Sequence, residues 1–428
     1  MLQSNPRVFL FLQGPSSPLF ELVAEALVER GHQVRRVNLC FGDRLFWRKR
    51  PAVNYAGGLE DWPEFIRSLL IRENVTDLVF LGDRRPHHAV AGDAARALGV
   101  RVFVVELGYL RPDWITLERD GMSAYSRFPV DPEAIRSIAR CVPEPDLGQR
   151  YRSDFISLAI WDIAYNFANV FLWPFHPHYR WHAIYHPLAE YAGWIGRLVR
   201  RPFLKGDANA TMRWLVDGRL RFFLFPLQLE TDYQIRAHSP FSSQIEPIKQ
   251  VIRSFAAHAP HDARLVFKVH PLDNGLVNWR RRIQETAQPD GVAERVITID
   301  GGDLATLLRH AQGVITINST VGTAALLASK PLLTLGTAIY SVPGLIFCGG
   351  VDRFWTEAQP PDRKLCDDFI RALAATTQVK GGFYERTALA AAAEETAERL
   401  HALRVNEPGA YVPAPPRLSL PSTELSPA

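Results

Sequence analysis

Short apolar runs of strand length alternate with amphipathic stretches along most of the chain. Val8–Leu12 reads as a strand, and the loop Gln13-Gly14-Pro15-Ser16-Ser17-Pro18 leads into an amphipathic helix over Leu19–Arg30. Gly31 stops that helix, as glycine tolerates the left-handed backbone that ends one. Val34–Leu39 is the next strand. A helix over Trp62–Glu73 leads into Asp77–Leu81, and a helix over Ala89–Leu98 leads into Val100–Val105. Such a strand–helix series predicts a parallel, doubly wound sheet. The second half repeats the pattern. Strands are expected at Arg221–Pro226, Leu265–Val269, Val296–Ile299, Val314–Ile317 and Leu332–Leu335, with helices over Ile245–Ala257 and Leu304–His310.

The expected fold class is therefore α/β. Two Rossmann-type domains facing a cleft make a GT-B-like architecture. Residues 1–150 form the N-terminal domain and 216–405 the C-terminal one. Residues 151–215 interrupt them as a helical, aromatic-rich insertion, and 406–428 read as a Pro/Ser-rich tail that is disordered or wraps the surface.

Composition narrows the class. The chain has 428 residues, 47% hydrophobic and 22% charged, which suits a packed protein of two domains. A net charge of +4 is too small to argue for nucleic acid, and it permits weak attraction to an anionic membrane surface. Cys40, Cys141, Cys348 and Cys366 are scattered, with no CxxC pair, so a reducing cytoplasm is expected. The N-terminus does not read as a signal peptide. Ile156–Phe175 is apolar and aromatic but carries Asp162, Asn166 and Asn169, which are expensive in hydrocarbon. It reads as a buried or groove-lining helix, with an interfacial helix as the alternative. Trp161, Trp173 and Trp194 could present a membrane-embedded acceptor.

The most informative stretch is Gly313–Gly336. A buried strand runs into Asn318-Ser319-Thr320-Val321-Gly322 and then an Ala/Leu helix. Free amides, the helix dipole and hydroxyl donors make such a turn a seat for phosphate. Lys268-Val269-His270-Pro271, ending another strand, adds groups that can contact phosphate oxygens. Function is expected at the carboxyl ends of strands in such sheets. Gly82-Asp83-Arg84-Arg85-Pro86-His87-His88 and Glu106-Leu107-Gly108-Tyr109-Leu110-Arg111-Pro112 lie there in the first half. Glu106 is the first polar side chain after an apolar strand, a position that suits an acid or base, and Arg111 suits a carboxylate or phosphate. In the second half, Gln228, Glu230 and Asp232 alternate after Pro226, with Ser239-Pro240-Phe241 close behind. A carboxylate there, opposed to Glu106, would form the pair that retaining glycosyl transfer needs. No metal-binding carboxylate motif stands out.

These clusters together resemble the KpsS-type capsule proteins, bacterial β-Kdo glycosyltransferases. The shared pieces are Gly82-Asp83, Arg85-Pro86 and His88, Glu106, Gly108-Tyr109 and Arg111-Pro112 with Thr116 and Glu118, Pro226-Leu227-Gln228 and Asp232, His238-Ser239-Pro240-Phe241, His270-Pro271, and Asn318 to Gly322. They span about 80–340 in a specific order. The resemblance implies a CMP-β-Kdo donor and retaining transfer to phosphatidylglycerol or its Kdo-bearing form. Asp232 would be the nucleophile and Glu106 the acid/base. His270, Pro271, Lys268, Asn318, Ser319, Thr320, Gly322, Gln228 and Arg111 would bind the donor. Asp83, Arg85, His88, Tyr109 and Ser239 would position the acceptor or substrate. Leu107 stands where some relatives carry a second acid. No metal or other cofactor is expected. The expected partners are CMP-Kdo, a phospholipid acceptor, other capsule proteins and the inner face of the cytoplasmic membrane, where the chain would be peripheral. Two rival readings are a GT-B enzyme using another nucleotide sugar, and a non-catalytic capsule export or assembly component.

Overall fold

The computed structural model describes residues 6–152, 154–180 and 185–419. The chain forms two compact units. Among the described residues, unit 1 takes 6–129, 134–152, 154–180 and 369–418; unit 2 takes 130–133, 185–368 and 419. This division differs from the expected one, because the chain re-enters unit 1 near Phe369, ahead of the expected boundary at 405.

Among the described residues, twelve strands carry the two sheets. They are β1 (Val8–Phe11), β2 (Gln33–Asn38), β3 (Val53–Asn54), β4 (Asp77–Leu81), β5 (Arg101–Leu107), β6 (Trp114–Arg119), β7 (Phe222–Pro226), β8 (Arg264–Lys268), β9 (Val296–Ile299), β10 (Gly313–Thr316), β11 (Leu332–Thr334) and β12 (Gln378–Lys380). Unit 1 has the order β12-β6-β5-β4-β1-β2-β3, and unit 2 the order β11-β10-β7-β8-β9.

The fold class is α/β with two Rossmann-type sheets, as the alternation predicts. The sheet of unit 2 is parallel throughout. The sheet of unit 1 is not: β6 runs antiparallel to β5, and β12 antiparallel to β6. Sequence reading missed both strands for a physical reason. Thr116 and Glu118 are fully buried polar groups that break the apolar run of β6. The reversal between β5 and β6 is a tight turn in which the Gly108 amide donates to the Trp114 carbonyl at 3.0 Å. A Cβ on Gly108 would sit 2.4 Å from that carbonyl oxygen, so the turn needs glycine.

Each sheet buries its own core. In unit 1, Phe9, Phe11, Val79, Phe103 and Val105 pack with the helices Leu19–Glu29 and Arg386–His401. In unit 2, Phe223, Phe225, Phe267, Ile315 and Leu333 pack with the helices Ile245–His258 and Gly350–Glu357. The five parallel strands of unit 2 deliver Gln228, His270, Asp300, Asn318 and Gly336 to one sheet edge.

The aromatic helix Phe155–Phe171 belongs to unit 1 and is not buried as expected. Asp154 caps it, accepting from the amides of Ile156 and Ser157 at 3.1 and 3.0 Å. Its polar face points inward: Asn169 Oδ1 accepts the Gly42 amide at 2.6 Å, and the Tyr165 hydroxyl receives Gln13 Nε2 at 2.8 Å. Ile156, Ile160, Ile163, Phe167 and Phe171, at helical spacing, face solvent. Trp161 packs on Phe46 and Tyr384, while Trp173 is 60% exposed, so these two tryptophans do not act alike. Among the described residues, no helix is long and apolar enough to cross a membrane. The described part of the expected tail is packed: Asn406 and Arg417 are buried, and Arg417 donates to the Phe128 carbonyl at 2.6 Å. Residues 420–428 lie outside the described residues.

Candidate active site

The edge of unit 2 is organised by one glutamine. After β7 the Gln228 backbone locks onto Gln244: its amide donates to Gln244 Oε1 at 2.7 Å, and Gln244 Nε2 donates back to its carbonyl at 2.8 Å. With its backbone fixed, the Gln228 side chain spans two neighbours. Its Nε2 donates to Asn318 Oδ1 at 3.0 Å and to Asp232 Oδ2 at 3.2 Å. Its Oε1 accepts the Asn318 amide at 3.2 Å. The loop after β7 is thereby tied to the loop after β10, and Gln228 helps to orient Asp232. Glu230 turns away and accepts from Gln244 at 3.4 Å.

The end of β8 supplies the donors. His270 Nδ1 accepts the Leu272 amide at 3.0 Å. A neutral imidazole whose Nδ1 accepts must carry its proton on Nε2, so His270 presents an N–H donor. Lys268 is buried, and burial lowers its ammonium below the ordinary range, with Asp300 opposing that fall. Arg197, on the helix Pro187–Asp217, ties this corner together. It donates to Asp300 Oδ1 at 2.6 Å, to the His270 carbonyl at 3.3 Å and to Asp273 Oδ1 at 3.5 Å.

The turn after β10 differs from the expected amide seat. The helix it opens, Val321–Leu327, is only seven residues long, and Thr320 makes no side-chain cap. The Ser319 amide is taken by Thr316 Oγ1, that of Val321 by Ser319 Oγ, that of Gly322 by the Ser319 carbonyl and that of Thr323 by the Thr320 carbonyl. These four amides are spent inside the turn, so it offers an anion fewer backbone donors than the sequence suggests. Gly322 has a steric role: a Cβ there would lie 2.1 Å from Tyr340 Cζ. The Tyr340 hydroxyl donates to the Ser319 carbonyl, fixing the turn from below. Ser239 also holds structure, bonding the Ile235 carbonyl at 2.5 Å and the Phe241 amide at 3.2 Å.

In unit 1 the ends of β1, β4 and β5 come together. Arg85 donates to Gln13 Oε1 at 2.9 Å. Glu106 is half-buried, and its Oε1 accepts the Leu107 amide at 2.9 Å. Its other oxygen would lie 3.2 Å from a Cβ on Gly82, which holds φ +67°. Asp83 is buried, accepts the Met122 amide at 3.1 Å, and is pushed up to about 6 by desolvation. Two further expected positioning residues are interior as well. His88 is fully buried, and its Nδ1 donates to the carbonyls of Leu81 and Gly82 at 2.8 and 3.0 Å. Tyr109 is buried with its hydroxyl on Glu118 Oε1 at 2.7 Å. Neither reaches solvent, so neither is placed to touch a substrate. Arg111 is exposed at the β5–β6 turn of unit 1, whereas the other expected donor-binding residues are in unit 2.

The model of a family described as capsule polysaccharide biosynthesis protein matches residues 76–384. The chain is 34% identical over 381 residues to the capsule polysaccharide export protein KpsS of Escherichia coli, covering 88% of this chain and 96% of that protein. It is 31% identical over 402 residues to the capsule polysaccharide modification protein LipB of Neisseria meningitidis strain Z2491, covering 90% and 93%. This chain belongs to the capsule polysaccharide biosynthesis protein family. Its KpsS-type character, legible in the ordered motifs, holds. Among solved structures, the β-Kdo 2,7 transferase of Thermosulfurimonas dismutans KpsC is 13% identical with a TM-score of 0.44, covering 92% of this chain and 99% of that one.

Several residues of the capsule protein's two sheet edges escaped sequence reading. Gln13 and Asp300 obey the rule that singled out Glu106, since each is the first polar residue after an apolar strand. Gln244 and Arg197 lie on distant segments, and no local pattern marks them. Buried Glu118, pushed up to about 7 by desolvation, was singled out only through the resemblance, and it lies on antiparallel β6, which no apolar pattern marks.

Proposed function

We propose that this chain is a retaining glycosyltransferase that moves Kdo from CMP-β-Kdo to a phospholipid acceptor, phosphatidylglycerol or its Kdo-bearing form, during capsule synthesis. Membership of the capsule family supports the pathway. One geometric observation carries the chemistry: Asp232 is held by Gln228 at the edge that also presents Asn318, His270 and Lys268.

In this reading the Asp232 carboxylate attacks the anomeric carbon. The bond to the phosphate oxygen breaks, and CMP leaves with the electron pair. The acceptor hydroxyl then displaces Asp232 and gives its proton to a base, which the reading assigns to Glu106. Two inversions give retention. His270 Nε2–H and Lys268 stabilise the departing phosphate, the charge that grows most in the transition state. A monophosphate leaving group served by such donors is assigned no metal and no other cofactor. Pro271, Ser319, Thr320 and Gly322 shape the donor site. The chain would work at the inner face of the cytoplasmic membrane beside other capsule proteins, with no role for nucleic acid.

The test is incubation of the purified chain with CMP-Kdo and a phosphatidylglycerol analogue, followed by mass spectrometry of lipid and intact protein. A Kdo-bearing lipid and an adduct on Asp232 are expected, with UDP-sugars inert. Transfer surviving in Asp232→Ala would falsify the nucleophile assignment. The E. coli relative's description as an export protein favours a second reading, a non-catalytic export component. A folded chain inert toward every nucleotide sugar would support that one.

A further inference from the structure

The helix Pro187–Asp217 has two unlike faces around Ile195–Gly206. Its inner face is anchored in unit 2. Arg197 pairs with Asp300 and Asp273, and Ala208 and Leu215 are buried. Met212 fits over Gly302, where a Cβ would lie 2.4 Å from its sulfur. Its outer face is apolar and bare: Ile195 is 64% exposed, Val199 72% and Phe203 81%. These recur every fourth residue and so form one stripe. Leu198 and Pro202 widen it.

Charge flanks the stripe. At 100° per residue, Arg200 falls on one side and Lys205 on the other, and both are exposed. Arg200 Nε bonds the Gly196 carbonyl of its own helix, which leaves its stem along the surface. From Ile195 to Gly206 the sequence carries Arg197, Arg200, Arg201 and Lys205 and no acid.

We infer that this face is a docking surface for an anionic lipid bilayer. The helix lies parallel to the membrane, Val199 and Phe203 enter the acyl boundary, and Arg200 and Lys205 meet headgroup phosphates. The stripe runs nine residues, about 13 Å at 1.5 Å per residue, a short span for an interface that buries roughly 800 Å² per partner. A bilayer needs only such a stripe with cations beside it. The aromatic helix of unit 1 exposes a stripe too, but it carries no basic residue, so nothing there selects an occupant. The inference rests on the lipid-acceptor reading for its purpose, and the surface has its own test.

The full chain is mixed, without donor, with phosphatidylcholine vesicles with and without phosphatidylglycerol, at low and high salt, and sedimented. Binding is expected only with phosphatidylglycerol, weakening as salt screens it. Val199→Ser with Phe203→Ser, and separately Arg200→Glu with Lys205→Glu, should each lower the partition coefficient at least about tenfold. Thermal melts should be unchanged, and the charge reversal decides the matter if the apolar pair misfolds. Unaltered partitioning of the charge-reversed chain overturns the inference. So does a wild-type dimer that binds no vesicles and is split by the same variants. A chain that binds vesicles through this face yet transfers nothing to a detergent-dispersed acceptor leaves the surface standing and sinks the transferase reading.

Discussion

Gln228 and Asn318 are joined reciprocally, side chain to side chain at 3.0 Å and side chain to amide at 3.2 Å. The same Gln228 amide nitrogen reaches Asp232 at 3.2 Å, so one residue sets the spacing of two loops and the aim of a carboxylate. Replacing it with leucine keeps the volume and removes both ties. Gln228→Leu should fold normally and lose about 10- to 100-fold in kcat, the cost of a misplaced reacting group. Gln228→Glu should do something a structural role would not. A second carboxylate beside Asp232 disfavours its ionisation, so the acidic limb of the pH–rate profile should move to higher pH. An unmoved limb would show that Asp232 is not the group whose ionisation matters.

His270 offers a proton on Nε2 because Leu272 occupies Nδ1. A hydrogen bond to a charged phosphate contributes about 1.5–3 kcal/mol, so His270→Ala should weaken CMP binding roughly 10- to 100-fold. Glutamine can place an N–H near the lost Nε2, whereas asparagine reproduces only the inner position. Calorimetry should therefore rank His270→Gln above His270→Asn. Equal losses would argue that the ring is needed for the loop and not for the ligand.

The sheet edge of unit 2 was largely legible because parallel strands announce themselves as apolar runs and their next polar residues mark the edge. Gln228, His270 and Asn318 were found that way. What failed was local hydrogen bonding. Nothing in Asn318–Gly322 says that Ser319 will absorb the Val321 amide, so the turn looked like a ready amide seat. The motif around Tyr109 and His88 misled for a related cause. A polar residue after a strand can turn inward to satisfy the interior, as Tyr109 does toward Glu118, and only tertiary packing decides which way it turns. Antiparallel β6 and β12 were invisible because their buried polar residues, Thr116, Glu118 and Gln378, break any apolar pattern.

Gly322 and Gly108 forbid a side chain for different reasons, and stability measurements should separate them. At Gly322 the obstacle is the Tyr340 ring, 2.1 Å from a built Cβ; at Gly108 it is the Trp114 carbonyl oxygen at 2.4 Å. Gly322→Ala should cost about 1–3 kcal/mol by overpacking. Trimming the ring should restore part of it, so Gly322→Ala with Tyr340→Leu should show a favourable coupling of at least about 1 kcal/mol in urea unfolding. No side-chain change can relieve Gly108→Ala. Additive losses at Gly322 and Tyr340 would mean that the ring moves aside freely.

Asp83 and Glu118 make unit 1 sensitive to pH in a definite direction. Both carboxyls are buried, and desolvation raises them to about 6 and about 7, while the Met122 amide on Asp83 and the Ser126 and Tyr109 hydroxyls on Glu118 oppose the rise. A carboxyl raised in the folded state binds its proton more tightly there than in the unfolded chain. Their contribution is therefore fully present below the unfolded values, near 4, and is lost as pH rises through about 6 and 7. Their share of the unfolding free energy should accordingly decline between pH 5 and 8, against the rise from His32, His87, His88 and His176, which burial lowers. The full loss, roughly 3 kcal/mol per group at about 1.4 kcal/mol per pH unit of displacement, starts near pH 4, so about half of the Asp83 share and most of the Glu118 share fall above pH 5. Asp83→Asn and Glu118→Gln, which imitate the protonated forms, should each shift the slope of unfolding free energy against pH in the positive direction. The slope is the quantity to read, because Arg417 faces Glu118 and the substitution also changes the level. An unchanged slope in both Asp83→Asn and Glu118→Gln would show that these carboxyls are ionised in the folded chain.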